Sequence, residues 1–263
     1  MHLWEAGPLD PDTPVVLAIH GLGGSGRYWQ GLADLIGETH RVMAPDLAGF
    51  GRSDEPDVDA DRSLHLADLD AVMETAGGPN RSVQLVGHSL GGVLAALWAL
   101  ENRELTAALA LAAPSYPTGQ AMDFRSRADL RASSSRRAAG KAVRLLWPLL
   151  ALPIGLARGY PITTVVDFGR QSVRSRAWTL WSLWSDPGLV TEIERVAELD
   201  AVVPTLLAHA RDDRTVNMSA HHAWMRLLPH ADEHVVDQGG HQFLLRHGFD
   251  PVASWLRTSS AAS

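Results

Sequence analysis

The fold of this chain is decided by the stretch Val83–Gly92, which reads VQLVGHSLGG. Its first residues have the apolar, β-branched character of a buried strand. The pattern Gly-x-Ser-x-Gly follows at once, and an apolar helix is predicted from Val93 to Leu100. A serine on a sharp turn between a strand and a helix needs small neighbours, because the strained backbone leaves no room for side chains. Ser89 is therefore predicted to be a nucleophile rather than part of an ordinary glycine-rich turn.

Strand and helix patterns alternate on both sides of this stretch. The predicted strands cover residues 15–19, 41–44, 83–86, 105–113, 205–208 and 233–236, and the predicted helices cover residues 28–36, 63–73, 93–100, 220–228 and 242–256. Ser63 is the predicted N-cap of the second helix. Strands separated by helices need crossover connections, which are typical of a parallel sheet with helices on both faces. An α/β fold with a mostly parallel sheet is therefore predicted.

The alternation stops between residues 115 and 187. This segment is rich in Arg and Trp and mostly helical in pattern, with one weak strand signal at Thr163–Val166. We interpret 115–187 as an inserted helical cap on a core formed by residues 1–114 and 188–263. Between Ser115 and Leu180 it carries eleven basic and three acidic residues, a charge of +8 in a chain of net charge −7. Such a cap would suit an acidic partner, for example an acyl-carrier protein.

The composition excludes several classes of function. The chain has 263 residues, 46% of them hydrophobic and 20% charged, which allows a sizeable core. It contains no Cys, so disulfides, thiolate nucleophiles and Cys-ligated metals are excluded and any covalent nucleophile is oxygen or nitrogen. The acidic balance disfavours nucleic acid as a partner.

Two further features predict a cytoplasmic location. The first residues, Met1–Pro8, lack a basic and an apolar region, so a secretory signal is not expected. The longest apolar run, Leu145–Ala157, contains Pro148 and Pro153 and is shorter than the ~20 residues of a spanning helix. No transmembrane segment is therefore predicted.

A serine nucleophile needs a base and an acid that orients the base. His241 is the best candidate for the base, because Gly239–Gly240 forms a flexible loop that can bring its imidazole back over the sheet. Asp212 and Asp213 both follow the strand at 205–208, and either could supply the carboxylate.

Two backbone N–H groups are needed to stabilise the negative charge that develops on the substrate oxygen. The amide of Leu90 directly follows the nucleophile, and the amide of Leu22 lies in the glycine-rich turn 20–26. These two amides are predicted to form an oxyanion hole. The same turn could indicate phosphate binding, but it matches neither the dinucleotide motif nor a P-loop with Lys.

These motifs together resemble the α/β-hydrolase superfamily over nearly the whole chain. They are similar to the branch with a helical cap between strands six and seven in the family's own strand count, which correspond here to the predicted strands 105–113 and 205–208. The matching stretches are His20–Leu22, Asp46–Asp54, Gly87–Gly92, Val203–Pro204 with the Asp213 turn, and Gly239–His241. In this family the acid turn reads His-Gly-x-x-Asp-x-x-Val-Pro, which selects Asp213 over Asp212, although Ala210 and Asn217 depart from the Gly and the Pro of that pattern. Some members of the family carry the acid after strand six of the family's own count. In this chain Ser115 stands there, after the predicted strand 105–113.

Ser89 stands where haloalkane dehalogenases and epoxide hydrolases have Asp, which argues against those two activities. The resemblance then implies acyl chemistry without a cofactor or a metal. We expect a serine hydrolase that cleaves an ester-like bond of a hydrophobic small molecule. Thioesters and C–C bonds are alternative targets, and Gly239–Leu244 is similar to the His segment of type II thioesterases. Lyase or cyclase chemistry is a further alternative, as is a ligand-binding protein without activity.

The predicted cap also holds four of the nine Trp residues. They are Trp147, Trp178, Trp181 and Trp184, and the last three share one helical face by their spacing. This stripe could pack the cap onto the core. It could instead form an apolar roof over the substrate pocket, in which case Trp147, Trp178 and Trp181 would contact the substrate.

Overall fold

One sheet organises the described part of the chain, which in this computed structural model comprises residues 1–78, 80–117, 153, 161–184 and 188–260. Its strands are β1 (His2–Ala6), β2 (Val15–Ile19), β3 (Arg41–Asp46), β4 (Val83–His88), β5 (Thr106–Ala112), β6 (Thr205–Ala210) and β7 (Asp232–Val236). They are ordered β1-β3-β2-β4-β5-β6-β7. The predicted mostly parallel sheet is confirmed, since β2 to β7 pair in parallel.

Strand β1 is an addition that the sequence patterns did not predict. It pairs antiparallel with β3, with His2 opposite Asp46 and Ala6 opposite Val42. The strand is short and only half-buried, because it sits at the edge of the sheet and has a neighbour on one side only. It therefore lacks the continuous apolar run that marks the central strands.

Helices cover both faces of the sheet. They are α1 (Gln30–Ile36), α2 (Arg62–Thr75), α3 (Leu90–Glu101), α4 (Ile162–Arg170), α5 (Val173–Trp184), α6 (Gly188–Arg195), α7 (Met218–Leu227), α8 (Phe243–His247) and α9 (Asp250–Ser260). Neighbouring residues of β4 point to opposite faces. Leu85 packs in a cluster with Leu94 of α3, and Val86 packs in another with Leu256 of α9. The sheet is thus buried between two helical layers.

Three local predictions are wrong. The weak strand at Thr163–Val166 lies inside α4, which begins directly after Pro161, a residue well suited to a helix start. The predicted last helix is divided into α8 and α9, because Gly248 between them has a φ of +92°. The N-cap of α2 is Asp61 rather than Ser63, and its carboxylate accepts from the Leu64 amide at 3.2 Å.

This topology determines where a site can form. In a parallel sheet the strands end at one edge, and the loops that follow them meet in a crevice there. The loops after β2, β4, β6 and β7 contain the turn 20–26, Ser89, Asp213 and His241, respectively. No helix among the described residues is long and apolar enough to cross a membrane.

Candidate active site

Ser89 sits on a strained turn between β4 and α3. Its backbone angles are φ 56° and ψ −115°, outside the regions that L-residues usually adopt. The flanking glycines leave no space: a Cβ at Gly87 would lie 2.2 Å from the Gly91 carbonyl oxygen, and one at Gly91 would lie 2.2 Å from that of Ile19. The Gly-x-Ser-x-Gly spacing therefore follows from backbone crowding, and it lifts the serine hydroxyl above the strand end.

Ser89, His241 and Asp213 form one chain of hydrogen bonds. The Nε2 atom of His241 lies 2.9 Å from the Ser89 Oγ atom. Its Nδ1 atom lies 2.7 Å from Oδ2 of Asp213. These partners select the tautomer in which Nδ1–H donates to the carboxylate and Nε2 accepts the serine hydroxyl. The three predicted residues thus meet in the arrangement that transfers a proton away from a serine.

Asp213 is the carboxylate that contacts His241. Its Oδ1 atom accepts from the Thr215 amide at 2.8 Å and from the Val216 amide at 3.0 Å. Burial alone would raise the pKa of Asp213, but the hydrogen bond and charge of His241, with these two amides, hold that pKa below its ordinary value. The carboxylate is consequently ionised at neutral pH.

Asp212 has a different contact. Its Oδ1 atom accepts from the Gly240 amide at 2.7 Å. The bond ties the turn after β6 to the loop that carries His241. Of the two acids that the sequence left open, Asp213 thus meets the imidazole and Asp212 supports the loop.

The turn that carries Leu22 lies beside the nucleophile. A Cβ at Gly21 would be 3.2 Å from the Ser89 Cβ atom, and the turn is closed by a bond from the Gly24 amide to the Gly21 carbonyl at 2.9 Å. Leu90, the other predicted donor, is the first residue of α3. Amides in the first turn of a helix have no acceptor within the helix and carry its positive dipole end. The amides of Leu22 and Leu90 thus belong to the two segments that flank Ser89.

The comparisons with known proteins agree with this geometry. The sequence profile described as "Alpha/beta hydrolase family" matches residues 15–255. This chain belongs to the alpha/beta hydrolase family. The predictions of the superfamily, of its fold and of an enzyme are therefore confirmed.

Relatives of this alpha/beta hydrolase differ in how much they share with it. An uncharacterized Mycobacterium tuberculosis protein is 35% identical over 101 residues, which are 37% of this chain and only 28% of that protein. A 2-hydroxy-6-oxo-6-(2'-aminophenyl)hexa-2,4-dienoic acid hydrolase of Metapseudomonas resinovorans is 25% identical over 94% of this chain and 82% of that enzyme. A thermophilic esterase structure from Thermogutta terrifontis has a TM-score of 0.70 at 21% identity, covering 98% of this chain and 93% of that chain. This last likeness shows the fold alone.

His88 is a residue of the hydrolase site that sequence reasoning missed. Its Nε2–H donates to the His241 carbonyl oxygen at 2.8 Å, and its ring stacks on Tyr28 at 4.9 Å. The ring also abuts the Leu22 turn, since a Cβ at Gly21 would lie 2.9 Å from Nδ1. One buried imidazole therefore contacts both the loop that carries His241 and the turn that carries Leu22. The sequence signal for this residue is its place inside the Gly-x-Ser-x-Gly motif, directly before Ser89.

Burial lowers the pKa of His88 to about 3, and burial likewise lowers that of His65 to about 3, where its Nε2 atom meets Thr179 Oγ1 at 2.8 Å. The ordinary value is 6.5. Between pH 6.5 and 3 the unfolded chain therefore binds more protons than the folded one, and stability falls as the pH falls. Each residue contributes up to about 1.4 kcal/mol per pH unit.

We accordingly expect the free energy of unfolding to drop by about 3 kcal/mol between pH 7.5 and pH 5.5. Urea denaturation followed by Trp fluorescence at the two pH values measures this difference. Equal unfolding free energies at both pH values would contradict neutral, buried imidazoles at His65 and His88.

Ser115 follows β5, at the alternative position for the triad acid that the family resemblance raised. Its Oγ atom is 3.5 Å from Ser89 Oγ, and its carbonyl oxygen accepts from the Trp224 indole at 3.1 Å. A hydroxyl in this place supplies no carboxylate. The geometry therefore leaves Asp213 as the acid that His241 meets.

Only part of the predicted cap lies among the described residues. Trp147 lies outside the described residues, as do eight of the eleven basic residues counted above. Trp178 is fully buried and meets Trp181 edge to face at 5.7 Å, in a small cluster with Ala60. This position of Trp178 favours the packing interpretation of the Trp stripe over contact with a substrate. Trp181 is half-buried.

The arginines of the predicted cap that lie among the described residues have partners within the chain. Arg170 lies 3.2 Å from Asp167, and Arg174 donates to the Pro56 carbonyl at 3.0 Å and lies 3.4 Å from Asp59. Arg176 stands over the Phe168 ring at 5.9 Å. Docking of an acidic carrier protein stays a prediction, and it would depend on the basic residues between 125 and 158.

Proposed function

We propose that this chain is a serine hydrolase that cleaves ester bonds of hydrophobic small molecules through an acyl-enzyme. The observation that carries the proposal is the hydrogen-bonded chain from Ser89 through His241 to Asp213, with separations of 2.9 and 2.7 Å. Such a chain is the arrangement by which a weakly nucleophilic hydroxyl is activated. The strained turn at Ser89 supports the same role, because backbone strain persists where the surrounding structure enforces it.

In the first half-reaction, Ser89 Oγ attacks the ester carbonyl carbon while its proton passes to Nε2 of His241. The carbonyl oxygen takes up the negative charge, and the amides of Leu22 and Leu90 stabilise it. The tetrahedral intermediate then expels the alcohol, which receives the proton from His241. Asp213, ionised through its depressed pKa, stabilises the transient imidazolium. An acyl-enzyme on Ser89 remains.

In the second half-reaction, water attacks the acyl carbon and gives a proton to Nε2 of His241. The second tetrahedral intermediate expels Ser89 Oγ, which regains the proton, and a carboxylic acid leaves. No metal or organic cofactor is needed for either half.

A panel of p-nitrophenyl acetate, butyrate and octanoate tests the proposal. We expect hydrolysis of all three esters, with kcat/KM rising with acyl length because a longer chain buries more apolar surface. The matched control is the same panel with Ser89 replaced by alanine. Failure of the folded wild-type protein to hydrolyse any of the three esters would contradict the ester proposal.

Hydrolysis of a C–C bond beside an activated ketone is a second candidate. The observation that favours it is the similarity over 94% of this chain to the Metapseudomonas dienoic acid hydrolase. The same triad could serve this reaction. A 2-hydroxy-6-oxodienoate substrate, followed by loss of its absorbance, separates the two. Turnover at least a hundredfold faster than that of the best ester would favour the second candidate.

Trp181 is proposed to border the substrate pocket, since it is the half-buried partner of the fully buried Trp178. We expect Trp181→Ala to raise KM several-fold for p-nitrophenyl octanoate and little for the acetate, because only the longer chain would reach an indole in the cap. Steady-state kinetics on both esters measure the effect. An equal change for the two esters would mean that Trp181 only packs the cap.

A further inference from the structure

A buried carboxylate of the predicted cap joins α4 to the turn 20–26, which carries Leu22. Asp167 of α4 is 1% exposed. Ser25 Oγ donates to its Oδ2 atom at 2.6 Å, and Arg27 donates from Nη2 to Oδ1 at 2.7 Å and from Nε to Oδ2 at 3.0 Å. Arg170 adds a contact to Oδ1 at 3.2 Å from within α4. A bidentate guanidinium pair of this kind fixes orientation as well as distance.

The residues that Asp167 holds directly follow the turn that presents Leu22. Between Ser25 and Arg27, the Gly26 amide donates to Asp46 Oδ1 at 2.6 Å. A Cβ at Gly26 would come within 2.1 Å of the Ala44 carbonyl oxygen, so this segment lies directly on β3. Residues 25–27, which end the turn, thus bind Asp46 of the core on one side and Asp167 of the predicted cap on the other.

Helix α4 also contacts the turn itself, one residue beyond Leu22. Gly23 has a φ of +77°, and a Cβ there would lie 2.6 Å from the Phe168 ring and 3.2 Å from Gln171 Nε2. Gln171 is buried, and its Nε2 donates to the Phe168 carbonyl at 2.8 Å. Residues 167, 168 and 171 therefore form one surface against residues 23–27.

We propose that Asp167 is a positioning residue that sets the place of the Leu22 amide through Ser25 and Arg27. This inference rests on the proposed function, in which that amide stabilises the oxyanion. A donor must point at the position that the oxyanion will occupy, and small displacements cost rate. Without the Asp167 carboxylate, α4 loses its ion pair with Arg27 and its hydrogen bond with Ser25, the residues that end the turn. The cap therefore acts on the chemical step as well as on substrate binding.

Asp167→Asn tests the proposal, because the amide keeps the shape and loses the charge that Arg27 binds. On p-nitrophenyl acetate, which is too short to depend on the cap for binding, we expect kcat to fall roughly tenfold with KM nearly unchanged. The matched control is Arg174→Gln, which loosens α5 from Pro56 and Asp59, away from the turn. We expect the control to keep kcat within about twofold.

Amide hydrogen exchange of the peptide that covers residues 20–27 provides a readout without substrate. Asp167→Asn should speed exchange of this peptide several-fold, and Arg174→Gln should not. Ser25→Ala removes a single contact to the carboxylate, and it serves as the second variant if Asp167→Asn does not fold. We expect for it a smaller change in the same direction, about threefold in kcat.

The outcomes separate this inference from the proposed function. Exchange and kcat that match the control in both Asp167→Asn and Ser25→Ala would overturn the positioning role. A rise in KM for octanoate alone, with the acetate unchanged, would also overturn it in favour of a pocket role. If the wild type hydrolyses no ester, the proposed function fails, and unaltered exchange of residues 20–27 would then overturn the coupling on its own.

Discussion

Replacing Ser89 with alanine should reduce kcat/KM for p-nitrophenyl esters by about 10⁴-fold or more. The expectation follows from the 2.9 Å contact between Ser89 Oγ and His241 Nε2, since removal of the hydroxyl leaves no atom to form the acyl-enzyme. Alanine adds no atoms to the crowded turn, so the variant should fold. Its melting temperature and circular dichroism spectrum check this.

The control for this result is Ser115→Ala, which removes the hydroxyl 3.5 Å from that of Ser89. It should keep activity within about fivefold, because Ser115 Oγ has no histidine among its contacts in the described residues. Equal losses in the two variants, or a Ser89→Ala variant that keeps kcat/KM within about tenfold of the wild-type value, would show that the nucleophile has been assigned to the wrong residue.

Asp213→Asn is expected to have the second largest effect, a loss of about 10³- to 10⁴-fold in kcat. The asparagine occupies the same volume but presents no full charge to His241 Nδ1, which now lies 2.7 Å from a carboxylate oxygen. The imidazole then loses its preferred tautomer and the stabilisation of its protonated form. Measurement of kcat on the octanoate ester at pH 8 gives the size of the loss.

Asp212→Asn is the matched control for that variant. An asparagine oxygen can still accept from the Gly240 amide, which Asp212 now binds at 2.7 Å. The activity should therefore fall by less than about tenfold. A larger loss in Asp212→Asn than in Asp213→Asn would exchange the roles of the two acids and contradict the geometry described here.

The residues at the strand ends could be predicted because each depends on a local pattern. Glycine is required at positions 87 and 91, because a Cβ at either position would lie 2.2 Å from a backbone carbonyl oxygen, that of Gly91 or of Ile19. The sheet followed from apolar runs such as that of β4, whose six residues are all buried. The residues around the turn alone could not separate Asp212 from Asp213, because neighbouring residues in one turn differ only in the direction of their side chains. Only the acid-turn pattern of the family favoured Asp213.

Contacts between distant segments were beyond sequence reasoning. The bond from His88 to the His241 carbonyl joins segments far apart in the chain, and so does that from Ser25 to Asp167. The residues next to a single His or Asp in the sequence do not indicate which distant residue it will hydrogen-bond in the fold. The β-branched run Thr163–Val166 suggested a strand, yet tertiary packing placed it in α4.

Labelling with a fluorophosphonate probe, followed by intact-mass and peptide mass spectrometry, decides most directly whether Ser89 is an activated nucleophile. The proposed function predicts one phosphonyl group per chain, located on Ser89, absent from Ser89→Ala and formed at least a hundredfold more slowly in His241→Ala. A folded wild-type protein that remains unlabelled, or that is labelled at another residue, would contradict it.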